Sequence, residues 1–217
     1  MLVNTNIVKR RITKRLSRKE RRRSILDAAL GVLSKEGYSG MTTSRVARAT
    51  GIAEPILYRH FSSKQNILRA LLDEVTMRMI GAFRELVAGD TDPVTALHRI
   101  CDAYPELARR YSREFRIINQ AIFEGKDPKT RRLLEDHYNA YHQFIEALIK
   151  RGQQTGGLRR DIPAAVGAWH MIHSALGLLM LQEVRREEFS PRGLALLSNA
   201  TLFGLLNQNE AFNRSHF

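Results

Sequence analysis

Apolar positions along this chain recur at spacings of three and four, and no segment alternates with the period of two that a half-buried strand requires. The pattern predicts helices throughout and no sheet. Ile25, Ala28, Ala29, Val32 and Leu33 stand at i, i+3, i+4, i+7 and i+8, with Leu26 and Leu30 broadening the stripe. They predict a helix from about Arg18 to Lys35, stopped by Gly37. Leu68, Leu71, Leu72, Val75, Met79, Phe83 and Leu86 form a longer stripe, opened by a capping box at Ser62-x-x-Gln65. Asp92-Pro93, Asp127-Pro128 and Ser190-Pro191 each set a capping side chain before a first-turn proline, and Asp161-Ile162-Pro163 nearly does, so four further helix starts are marked. Pro105 interrupts the run Leu97, Ile100, Cys101, Tyr104, Leu107, Ala108 and predicts a kink or break. Later helices are expected over about Arg113–Glu124, Pro128–Gln153, Pro163–Val184 and Pro191–Leu206. The fold class is all-α, with about nine helices, no internal repeat and a polar tail after Asn207.

Between the first two stripes lies Thr42 to Lys64, TTSRVARATGIAEPILYRHFSSK, which predicts two short helices joined by a glycine turn. Thr42 caps the first, Val46 and Ala47 face inward, and Thr50-Gly51 ends it. The second opens at Glu54-Pro55, where proline is tolerated because first-turn N–H groups have no intrahelical partner. Leu57 and Phe61 supply its buried side, leaving Tyr58, Arg59 and His60 to point elsewhere. Two such helices form a helix-turn-helix, whose second helix fits the DNA major groove.

Thr42, Val46-Ala47, Gly51-Ile52, Leu57-Tyr58, His60-Phe61 and Lys64 match the pattern of TetR-family transcriptional regulators, which the first third of the chain resembles. Leu-Tyr-x-His-Phe followed by Ser-Ser-Lys is far more specific than a bare helix-turn-helix spacing. The sequence departs from the family at Ala53, where a capping Ser is common, and at Arg45, where a capping box takes Glu. The resemblance implies DNA contacts from Thr42, Thr43, Ser44, Arg45, Glu54, Pro55, Tyr58, Arg59, His60 and Lys64. Tyr58, His60 and Lys64 are expected on phosphates, with positions near Glu54 and Arg59 on base edges.

Charge strengthens this picture. The net charge is +13, and residues 1–64 hold 15 Lys and Arg against 4 Asp and Glu, so the excess of +11 lies in the front end. A polyanionic partner is expected there, double-stranded DNA above all. Residues 9–23, KRRITKRLSRKERRR, carry ten basic side chains and one acidic one; a like-charge run of this kind is expected to stay flexible and lie along phosphates or enter the minor groove. The expected division is a basic arm over 1–17, a helix-turn-helix domain over 18–62 and a ligand-binding and dimerisation domain over 63–217.

A hydrophobic content of 43% in 217 residues is enough for a sizeable core. The single cysteine, Cys101, rules out an intramolecular disulfide and fits a cytoplasmic protein. The run from Ala164 to Leu181 is interrupted by His170, His173 and Ser174, so it predicts a buried helix and no membrane span. That helix is apolar on nearly every side and needs a second partner surface. With the last helix it is expected to form a four-helix seam across a two-fold axis, the role these helices have in the TetR family.

His98 with Cys101, His170 with His173, and His137 near His142 lack a carboxylate at ligand spacing, so no metal or other cofactor is expected. No phosphate loop, Gly-x-Ser-x-Gly elbow or HExxH occurs, and no catalytic residue or enzyme activity is expected. The middle helices do carry Tyr104, Tyr111, Phe115, Asn119, Tyr138, Tyr141, Trp169 and His173, a mostly apolar set with polar tips. Such a set suits a small-molecule cavity, and the family holds its ligand among these helices. The resemblance implies a homodimeric repressor released from a palindromic operator by a small, largely apolar effector. The alternative is a ligand-independent protein that binds nucleic acid without sequence choice.

Overall fold

The computed structural model describes residues 16–89, 92–184 and 190–206. Among them are nine α-helices and no strand; the sole bridge of β type joins Leu158 to Leu206. The arm expected over residues 1–17 lies almost wholly outside the described residues, as does the polar tail.

Helix α1 spans Arg18–Gly40 and opens on a capping box: the Ser17 hydroxyl accepts from Glu20 N–H, and the Glu20 carboxylate accepts from Ser17 N–H at 2.7 Å. The basic run is therefore helical from Arg18 onward, the start that the apolar stripe predicts, and Arg18–Arg23 are not the flexible stretch that their like charge suggests. The cap, together with burial of Ile25 and Leu26 about two turns later, overcomes like-charge repulsion. Regular geometry ends at Gly37, as expected, where φ is 72° and ψ 177°, a region open in practice only to glycine. A further turn follows and buries Tyr38.

Helix α2 (Thr43–Thr50) packs on α1, and α3 (Glu54–Tyr58) on α2, around Val46, Ala47, Leu57 and Phe61. Gly51, at φ 72°, supplies the left-handed turn between them. Helix α4 runs Lys64–Leu86 and buries Ile67, Leu68, Leu71, Leu72, Val75, Met79 and Phe83, close to the expected stripe. Its cap is Ser63, which accepts from Asn66 N–H, one residue beyond the box expected at Ser62. Position N3 is therefore Asn66, which bonds Ser62 Oγ instead of reaching back to the cap backbone.

Helix α5 (Pro93–Arg110) passes through Pro105 without the break that was one of the two outcomes expected there; the break falls at Tyr111, before α6 (Ser112–Glu124). A proline at this depth loses one backbone bond, yet Ile100, Cys101, Pro105 and Ala108 are all buried, and that packing holds the helix together. Helices α7 (Pro128–Thr155), α8 (Ala164–Val184) and α9 (Pro191–Phe203) complete the bundle. Gly204 caps α9 before the expected end, freeing Leu205 to accept from Arg159 N–H at 3.1 Å. Helix α5 packs against α9, α7 against α8 and α4, and α1 against α6.

Candidate nucleic-acid interface and interior cavity

The outer surface of α2 and α3 is held by a short polar chain. Thr43 Oγ1 donates to Glu54 Oε1 at 3.0 Å and lies 3.1 Å from the half-exposed Tyr58 hydroxyl. Thr42 caps α2 by accepting from Arg45 N–H, as its hydroxyl predicts. Ala53 gives α3 no side-chain cap, and Pro55 in the first turn takes its place. Ser44, Pro55 and Arg59 are exposed. Arg45 is drawn back instead, donating to Gly40 carbonyl at 2.8 Å and pairing with Glu36 at 2.6 Å.

Lys64 also folds inward. Its ammonium sits 3.8 Å from the centre of the Tyr38 ring and donates to the Tyr38 carbonyl, and burial lowers its pKa. His60 turns Nδ1 inward without a partner, and burial together with Arg18, Arg21 and Arg22 holds its pKa below the usual value. It is therefore a neutral hydrogen-bonding group at neutral pH. Helix α1 joins this surface through a contact that the helix-turn-helix motif does not predict: the Arg22 guanidinium stacks 4.2 Å above the Phe61 ring and donates to the His60 carbonyl at 3.2 Å. The signal was present in the cationic residues before Ile25, one helical turn ahead of the first core contact.

The bundle behind this surface encloses a cavity whose empty space, mouth included, is about 710 Å³. Helix α4 contributes Met79 and Phe83, α5 Ile100, Cys101 and Tyr104, α6 Phe115, and α7 Tyr138, Tyr141 and Ile145. Helix α8 adds Met171 and Leu178 among others, and α9 adds Ser198 and Thr201. Of the aromatic set expected at a ligand site, Tyr104, Phe115, Tyr138 and Tyr141 come together here. Trp169 and His173 line a separate outer groove with Phe123, Lys126 and Arg131, and Tyr138 belongs to the walls of both spaces. Tyr111 stands at the α5–α6 joint and Asn119 is half-buried on α6; neither reaches the cavity. The contributions of α9 were missed, although Ser198, Asn199 and Thr201 are the polar interruptions of an apolar helix.

Three of the histidines considered as metal ligands have other partners. His98 Nδ1 is 2.7 Å from Asn199 Oδ1, His137 Nδ1 is 2.6 Å from Thr76 Oγ1, and His142 Nε2 is 2.9 Å from the Ala165 carbonyl. Among the described residues no helix is long and apolar enough to cross a membrane.

Residues 25–71, which hold the helix-turn-helix and the start of α4, match the family model for bacterial regulatory proteins of the tetR family. The chain belongs to the TetR family of DNA-binding transcriptional regulators. This TetR-family chain is 28% identical over 167 residues to the nucleoid occlusion factor SlmA of Pasteurella multocida, covering 76% of this chain and 83% of that one. It is 21% identical over 185 residues to the HTH-type transcriptional regulator UidR of Escherichia coli K12, covering 83% and 92%. Its fold is that of SmeT in a complex with triclosan, with a TM-score of 0.74, 20% identity, and 88% and 93% of the two chains covered. Family and fold are those of regulators rather than enzymes.

Proposed function

We propose that this regulator is a homodimeric, cytoplasmic repressor that holds a palindromic operator and is released by a small, largely apolar ligand. The observation that carries the proposal is the course of α4. Its first residue, Lys64, holds the ring and carbonyl of Tyr38 at the end of α1, the helix on which α2 packs, while Met79 and Phe83 of the same helix stand in the cavity wall. A ligand that wedges against Met79 and Phe83 tilts α4 and changes the spacing of two reading heads, which must match about 34 Å along the duplex. SmeT, which shares the fold, has been seen with triclosan, and that supports a ligand here.

In this reading the head comprises residues 18–62, and residues 63–217 bind ligand and pair the subunits. Glu54 and Arg59 read base edges, with Thr42, Thr43, Ser44, Pro55 and Tyr58 at the backbone. Arg45 and Lys64 reach phosphates after leaving Glu36 and Tyr38. The subunits pair through Val166, Trp169 and Met180 of α8 and Leu196, Leu197 and Phe203 of α9, large apolar side chains exposed on the single chain. Leu202 of α9, by contrast, is wholly buried within the chain and belongs to its core.

The test is fluorescence anisotropy of DNA from upstream of the protein's own gene, titrated with full-length protein against unlabelled competitor of random sequence. Repression of an operator requires that the random competitor fail where the cognate site succeeds. A second reading, sequence-independent binding without a ligand, is favoured by the cationic front end and by the similarity to a nucleoid occlusion factor. Equal competition by random DNA, with a steep salt dependence, would decide for it.

A further inference from the structure

The lining of the cavity is unusual in what it lacks. Among the described residues that line it, no side chain is a carboxylate, ammonium, guanidinium or imidazole. The ionisable ones are Cys101, Tyr104, Tyr138 and Tyr141, and burial raises the pKa of each, Cys101 and Tyr138 to about 12. All four are neutral at physiological pH. An ion placed among them would lose its hydration shell with no opposite charge to replace it.

Two hydroxyls in the wall are left over. Ser198 Oγ, on a residue 6% exposed, has no hydrogen-bond partner, not even the carbonyl one turn back on α9. Tyr141 OH, on a residue 8% exposed, has Thr76 close enough to favour its ionisation slightly but makes no hydrogen bond of ordinary geometry. Thr76 has no proton to offer it, since it donates to the Leu72 carbonyl at 2.8 Å, and it lies 2.6 Å from His137 Nδ1. Tyr104, by contrast, is satisfied by donating to the Ala175 carbonyl at 3.0 Å. A buried hydroxyl without a partner is destabilising, so two of them in one apolar wall mark where a bound molecule supplies what the protein does not.

We infer that the ligand is a neutral, mainly apolar molecule carrying two separate hydrogen-bonding groups, one met by Tyr141 on α7 and the other by Ser198 on α9. This rests on the reading of the cavity as the effector site. Each hydroxyl donates and accepts, so the ligand's groups are drawn from hydroxyl, carbonyl, ether or ester oxygens. Anionic and cationic amphiphiles are excluded from the interior by the same wall. The ligand bridges α7 and α9 across the cavity while its apolar body rests on Met79, Phe83 and Phe115.

The test uses the full-length protein at pH 7.5, with the neutral fluorophore N-phenyl-1-naphthylamine as reporter. Decane-1,10-diol, decanoate and decyltrimethylammonium, which share one chain length, are compared as displacers. The diol is expected to displace the dye at concentrations at least about tenfold lower than either ion. Ser198→Ala and Tyr141→Phe are each expected to weaken the diol about two- to tenfold, the worth of one hydrogen bond, with dye affinity unchanged. Displacement by decanoate or the ammonium as readily as by the diol would overturn the neutral class. Undiminished diol binding in both variants would overturn the two contacts, showing that water satisfies the hydroxyls. Failure of the dye to bind at all would instead remove the cavity as a ligand site, and with it the ligand-released repressor.

Discussion

His137 makes stability depend on pH in a way that can be worked out in advance. The residue is buried on α7, its Nδ1 lies 2.6 Å from Thr76 Oγ1, and its Nε2 has no partner. Thr76 gives its own proton to the Leu72 carbonyl, so Nδ1–H is the donor to Thr76 and Nε2 holds a bare lone pair in the interior. Protonation would place a cation there without an acceptor, and burial accordingly depresses the folded-state pKa from 6.5 to about 4. The unfolded chain binds the proton more readily, so stability is intact above pH 6.5 and declines as pH falls toward 4. Between pH 7 and pH 5 the loss attributable to this one group is about 2 kcal/mol, a large share of what holds a domain together. Urea unfolding at pH 7, 6 and 5, on wild type and on His137→Gln, measures it. The variant is expected to be less stable at pH 7 yet to lose about 2 kcal/mol less than wild type on acidification. Parallel pH slopes for the two proteins would refute the assignment, since Arg69, Asp73 and Asp136, which line the cleft beside His137, are present in both.

Other substitutions separate the roles of the surfaces. Gly37→Ala forces a Cβ into a backbone region reserved for glycine and brings it 3.1 Å from Glu124 Oε1; a loss of about 1–3 kcal/mol in urea unfolding is expected. Leu196→Glu with Phe203→Glu puts charge on the outer side of α9, 64% and 43% exposed, and is expected to give a folded monomer in sedimentation that no longer holds operator DNA. Tyr58→Phe is expected to weaken all DNA sequences by one factor, whereas Arg59→Ala alters preference at particular base pairs; binding-site selection distinguishes them. Should a ligand lower operator affinity by some factor, calorimetry must find its own affinity lowered by the same factor on operator-bound protein.

The parts legible in the sequence were those fixed by local chemistry. A glycine at the right place between Val46-Ala47 and Leu57, and an Asp or Ser before a first-turn proline, specify turns and starts within a few residues, and these stand where expected. What escaped was set by competition between distant segments. Proline at 105 argues locally for a break, but the helix continues because its neighbours are buried against α9 and α7. Lys64 reads as a free cation by composition, yet Tyr38, brought round by the Gly37 turn, offers it a ring and a carbonyl. The cavity was half legible: aromatic residues named four of its walls, but which faces of α8 and α9 turn inward depends on their packing, and that sent Trp169 outward and Ser198 inward.

Helix α9 has two audiences. Its Ser198 and Thr201 look onto the cavity, while Leu196, Leu197 and Phe203 look away from the chain. If the cavity takes a ligand and the outer face a second subunit, as proposed, the two act on one rigid rod from opposite sides and their equilibria are tied. The amount of protein in solution then becomes a variable of sensing: if covering the outer face stiffens the wall, dilution loosens it, and the same effector is read at a different concentration in a cell that makes little of this chain than in one that makes much.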